Sequence, residues 1–120
     1  MGIRYPEKVD EQTGKIIPPM MLLCEFGTSS NVKYHDLMSG KLNAYNRHLK
    51  MIEEKFDAKA VVVFILDVPR EVVMRRIKEW KPKGPYRFVD FKTFASVDIQ
   101  KESQWDAAIY IYPDGSVDGL

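Results

Sequence analysis

The sequence predicts one α/β domain over residues 1–120, built as a small mixed sheet flanked by helices. Two apolar runs and the segment between them carry that prediction. Residues 60–66 (Ala60-Val61-Val62-Val63-Phe64-Ile65-Leu66) are apolar and rich in β-branched side chains, as a central strand requires. Residues 20–26 are apolar except for Glu25, the pattern of a strand covered on both faces. Between them, 33–56 repeats its apolar side chains at helical intervals. Strand, long helix, strand is a crossover unit, so the two strands should lie parallel.

Taken in order, the opening segment 4–9 is extended, because Pro6 pushes Tyr5 toward β geometry. Residues 10–14 form a turn cluster. Ile16-Ile17 could pair as a strand, whereas Pro18-Pro19 remove two amide donors and suggest an edge or a bulge. The first two strands would then form an antiparallel hairpin at the sheet edge. After the 20–26 strand, residues 27–31 offer several helix N-caps. Met38, Leu42, Tyr45, Leu49, Ile52 and Phe56 make a single apolar face, with Arg47, Lys50 and Glu54 on the wet side. Lys41 falls on the flank of that face, where a lysine buries its stem and extends its ammonium group.

Asp67-Val68-Pro69 starts a second helix, with proline in its first turn, running to about Trp80. Residues 81–85 are a loop, 86–94 read as a strand of irregular aromatic spacing, and 107–112 read as a last strand closed by a turn at 113–115. Tyr86, Phe88, Phe91 and Phe94 lie among Lys83, Arg87 and Lys92. They resemble an aromatic and basic surface for single-stranded nucleic acid, although aromatics in a strand are more often turned inward.

Composition narrows the class. Apolar and charged residues are balanced as in ordinary globular proteins, and no run reaches the ~18 apolar residues of a membrane span. The opening residues 1–6 lack the apolar stretch of a signal peptide. The single cysteine, Cys24, excludes an internal disulfide and fits a reducing cytoplasm. With His35 and His48 it makes no zinc spacing, so a metal would be held by carboxylates, which favours Mg2+ or Mn2+. The net charge of +1 hides an uneven distribution. Residues 70–92 carry eight basic side chains against three acidic ones, leaving a local excess of five. Arg75, Arg76, Lys78, Lys81, Lys83 and Arg87 in this segment are candidate nucleic-acid contacts. The competing reading is a solvated helix face followed by a polar loop.

Glu25 is the focus of any chemistry. A carboxylate ending an apolar strand is either solvated at the tip or poised over a site, because an unpaired buried charge is costly. In α/β layers, sites gather at the carboxyl ends of strands. If the first segment pairs with 20–26, Glu7 or Asp10 could approach Glu25, and Lys41 could reach the same place from the helix. Two carboxylates and a lysine suffice for phosphodiester hydrolysis. The acids (Glu25 with Glu7 or Asp10) would hold the divalent ion, and Lys41 would stabilise the attack.

The strand-end pattern Leu22-Leu23-Cys24-Glu25-Phe26-Gly27-Thr28, followed by Lys41-Leu42-Asn43-Ala44-Tyr45 in the next helix and by a later strand with a basic helix, resembles the replication-relaxation family of plasmid and mobile-element proteins. That family's motif is similar to Glu-x-Asp-x-Gly-Thr at a strand end, then Lys-x-x-x-Tyr. Aligned on Gly27-Thr28, Glu25 takes the aspartate's place and Leu23 falls where the glutamate would be. The resemblance implies a restriction-endonuclease-like core and a role in plasmid replication or DNA relaxation. Pro6-Glu7 matches that core's Pro-Asp motif with glutamate for aspartate, and Gly27 stands where the nuclease motif has lysine. Family members carry a winged-helix region before this domain, and nothing before Tyr5 could form one. The expected partners are DNA and replication proteins, with no membrane; a homodimer is left open. A core that binds DNA or a replication partner without cutting is the alternative to a metal-dependent nuclease.

Overall fold

The computed structural model describes residues 2–28, 34–98, 100–101 and 103–120, without the side chains of 2–5, 8, 17, 28, 34–39 and 41. The candidate N-caps at 29–31 and the side chains of His35, Met38 and Lys41 therefore lie outside the described residues.

The main sheet has six strands in the order β1 (Gly2–Tyr5), β4 (Met20–Thr28), β5 (Lys59–Asp67), β6 (Tyr86–Asp90), β7 (Tyr110–Ile111) and β8 (Val117–Asp118). Its centre is parallel: β4 pairs with β5, and β5 with β6. The flanks are antiparallel, with β1 on β4 at one side and β7 and β8 at the other. The mixed sheet and the parallel crossover predicted by the sequence are both present.

Alternation along β5 divides the core in two. Ala60, Val62, Phe64 and Leu66 face α1 (Tyr34–Phe56) and α2 (Arg70–Trp80), where they meet Leu42, Leu49, Val73 and Ile77. Val61, Val63 and Ile65 face the other way, against Phe94 of α3 (Phe91–Ala95) and Tyr110. Residues 60–66 are all buried, and only Lys59 and Asp67 at the two ends of the strand are exposed. Phe64 is the keystone of the helix-covered face. It stacks on Phe88 at 5.2 Å between ring centroids and takes the edge of Tyr45 at 6.2 Å.

Helix α2 begins at Pro69, whose carbonyl accepts from Val72 and Val73, and ends at Lys81 in the left-handed region with φ 48°. That C-cap lets the Lys81 amide reach the Ile77 carbonyl at 3.0 Å.

Two expectations are corrected at the C-terminal side. Residues 86–94 are not one strand: pairing stops at Asp90, and α3 follows. The cause is local, because the Asp90 carboxylate accepts from the Thr93 amide at 3.0 Å and from its hydroxyl at 2.8 Å, an N-cap that starts a helix. Residues 107–112 pair only at Tyr110–Ile111, since the amides of Asp106 and Ala107 turn back to the Ser103 carbonyl. The short β8 beyond the 113–115 turn was not anticipated.

The expected antiparallel pairing at the sheet edge is present, but the segment 4–9 is split. Residues 2–5 pair with β4, and a separate two-stranded ribbon forms from β2 (Lys8–Val9) and β3 (Ile16–Ile17). Prolines set the ribbon apart from the sheet. Pro6 on one side, and Pro18 with Pro19 on the other, have no amide to continue a ladder.

Candidate functional site

Glu25 lies on the helix-covered face of β4, two residues beyond Leu23, which packs against the same core. It is half-buried and stands opposite Phe64 in the β4–β5 register. Its carboxylate accepts a hydrogen bond of 2.5 Å from the hydroxyl of Tyr45 on α1. Burial, and then this carboxylate, push the Tyr45 phenol well above its ordinary range, so it stays a donor. Glu25 therefore does not point into open solvent. It is drawn under α1 by a hydroxyl that itself needs a partner when its ring is packed.

The structure does not bring the expected second acid to Glu25. Tyr5 pairs with Met20, and β1 runs antiparallel to β4, so Glu7 continues past the amino end of β4. Glu25 lies five residues further toward the carboxyl end, about 17 Å along the strand. Asp10 lies at the turn of the separate ribbon, where its carboxylate accepts from the Gln12 amide. Glu7 is exposed and Asp10 nearly so, and the register of β1 keeps Glu7 from sharing a cation position with Glu25. Among the described residues no group of three His, Cys, Asp or Glu side chains is arranged to hold a metal ion. Lys41 belongs to α1, four residues before Tyr45, but its side chain lies outside the described residues.

A second set of polar contacts on α1 involves Tyr86. Fully buried Tyr86 donates to the Leu42 carbonyl at 3.3 Å and to the Asn46 side chain. Burial raises the Tyr86 phenol too. Cys24, facing the opposite core, has its thiol pushed up by burial, as expected of an inert cysteine.

A second carboxylate sits at the carboxyl end of the parallel strands. Asp90, 3% exposed, ends β6 and pairs with Arg70 at 3.2 Å. Burial alone would raise its pKa, but the hydrogen bonds from Thr93 and Arg70 outweigh it and hold the carboxyl below its ordinary value. Neither Asp90 nor Arg70 was singled out by the sequence as a candidate, although Asp three residues before Thr is a legible capping signal.

The six basic candidates divide. Arg75, Lys78, Lys81 and Lys83 are exposed along α2 and just beyond it. Arg76 is half-buried and paired with Glu79 at 3.1 Å. Arg87 is turned inward: its guanidinium lies 3.8 Å over the Tyr112 ring and donates to the Tyr86 carbonyl. Of the aromatics, Tyr86, Phe88 and Phe94 are buried and only Phe91 is exposed, so those four side chains do not form a common stacking surface. Among the described residues no helix is long and apolar enough to cross a membrane. Comparison of the chain with protein-family models, with curated proteins and with solved structures finds no match.

Proposed function

We propose that this domain is a restriction-endonuclease-like module that binds DNA without cutting it, in the manner implied by its resemblance to plasmid replication-relaxation proteins. The observation that carries the reading is the group of exposed cations along α2 and just beyond it. Arg75 and Lys78 lie about one turn apart on α2, Lys81 is its C-cap and Lys83 lies just beyond. Four exposed cations so close in the chain can neutralise phosphates of one nucleic-acid backbone. A second support is the Tyr45–Glu25 hydrogen bond, which joins the two halves of the motif on which the resemblance rests.

Binding is favoured over hydrolysis by register. Glu7, the first candidate to share Mg2+ or Mn2+ with Glu25, follows β1 past the other end of β4. Glu25 also accepts from the Tyr45 hydroxyl, a contact that suits a carboxylate holding a helix on a sheet.

A nicking assay on supercoiled plasmid with magnesium or manganese, run beside a gel-shift on the same DNA, tests this. Wild type and Glu25→Gln are expected to shift the DNA equally and leave it intact. Nicking by wild type that is lost in Glu25→Gln would overturn the non-cutting reading in favour of metal-dependent hydrolysis. Absence of any shift at low salt would overturn DNA binding and leave a protein-interaction module.

A further inference from the structure

The ribbon of β2 and β3 has the makings of one half of an interface. Val9 and Ile16 are a cross-strand pair, 64% and 63% exposed, and are the two most exposed of the described large hydrophobic residues. A two-stranded ribbon alone in water is marginal and is ordinarily ordered by packing against something else. The radius of gyration, 14.8 Å, exceeds the about 13.6 Å expected of a compact chain of this length, as a ribbon standing off the core would produce.

The other half lies at the ribbon's foot. A cleft of about 360 Å³ opens at the amino ends of β4 and β5, with Met20, Val61, Trp105 and Leu120 among its lining residues. Pro6, Pro18 and Pro19, the residues that separate the ribbon from the sheet, form its near wall. Its two charged members, Lys59 and Asp106, are both exposed. The ribbon presents the complementary pair, with Glu11 and Lys15 exposed around its turn.

A ribbon cannot seat in the cleft at its own foot. Two residues separate Val9 from Pro6, and one separates Ile16 from Pro18, so bending back would break the β2–β3 pairing. A second copy has no such constraint. We propose that the chain forms a two-fold dimer by reciprocal arm exchange, the Val9–Ile16 pair of each copy entering the apolar cleft of the other. Such a contact closes because both arms engage at once about the two-fold axis; engaged singly, the same peg and socket would propagate into open chains. It does not depend on DNA binding and stands or falls separately.

Sedimentation over about 1–100 µM tests it, the range in which an interface of this modest size dissociates. Wild type is expected to sediment as a dimer at the upper end. The Val9→Asp/Ile16→Asp variant is expected to stay monomeric, its dissociation constant raised at least about 100-fold by loss of four buried aliphatic side chains per dimer. Its circular dichroism should be unchanged. Location is read by mixing Ile16→Cys with Trp105→Cys, both in a Cys24→Ala background, and oxidising: a disulfide between the two different chains is expected. A monomeric wild type, a dimer that survives the double aspartate variant, or the absence of the mixed disulfide would each overturn the proposal. Should the double variant fail to fold, the disulfide test, which leaves Val9 in place, decides alone.

Discussion

Glu25 and Asp90 are both carboxylates toward the carboxyl ends of parallel strands, yet they do different things. Asp90 is enclosed by donors of fixed position: the Thr93 amide and hydroxyl and the Arg70 guanidinium. Its charge is consumed in starting α3 and tying α2 to β6. Glu25 is less buried, and its hydrogen bond from Tyr45 fastens the middle of α1 to the edge of the parallel core. A strand-tip acid is therefore not a site by virtue of its place. Its partners decide, and the Tyr45 hydroxyl at Glu25, like the Thr93 and Arg70 donors at Asp90, holds a helix.

The residue between the two acids gives the largest expected effect. Phe64 stands opposite Glu25 in register, takes the edge of Tyr45 and stacks on Phe88. Phe64→Ala should cost about 3–5 kcal/mol in chemical denaturation, the usual range for a buried phenylalanine. If the cost is below about 1 kcal/mol, the face that carries Glu25 is not packed as described.

Asp90→Asn comes next. It leaves Arg70 without its carboxylate and weakens the α3 cap, for a loss on the order of 2 kcal/mol at neutral pH. The pH dependence follows by sign. The folded pKa of Asp90 lies below its ordinary value of 3.8. Its contribution is thus fully present above that value and is lost as pH falls through the lower, folded one. Wild type should lose stability relative to Asp90→Asn below about pH 4 in urea melts at stepped pH. A constant difference between the two proteins down to pH 2 would contradict the assignment.

Tyr45→Phe should cost less, about 1 kcal/mol, because the half-buried Glu25 recovers water when the hydroxyl is removed. Measured in Glu25→Ala, the same substitution should cost less again, the coupling a double-mutant cycle reports for groups in contact. Additive effects would mean that the two side chains do not meet in solution.

How much of this was legible follows from the length and regularity of each signal. The seven apolar residues of β5 and the six-membered apolar face of α1 are long patterns, and both elements stand where the sequence puts them. The four-residue β1 carries no pattern that could reveal its register, and that register takes Glu7 away from Glu25. The α3 cap was present in the sequence as Asp90 and Thr93, but a run of aromatics at 86–94 concealed it. Tyr45 was readable only as a core residue of the helix face. That its hydroxyl meets Glu25 depends on how α1 lies across β4, which no local pattern encodes.

The smallest expected effect on stability carries the largest on function. Arg75→Glu and Lys78→Glu are exposed substitutions and should change stability by less than about 0.5 kcal/mol. The most direct test of the central claim is the affinity of wild type and of this double variant for duplex DNA as a function of salt. The account predicts a log–log slope for wild type of roughly −2 to −4, and a slope shallower by about two in the variant, since each phosphate contact contributes close to −0.9. Equal slopes in the two proteins would contradict it.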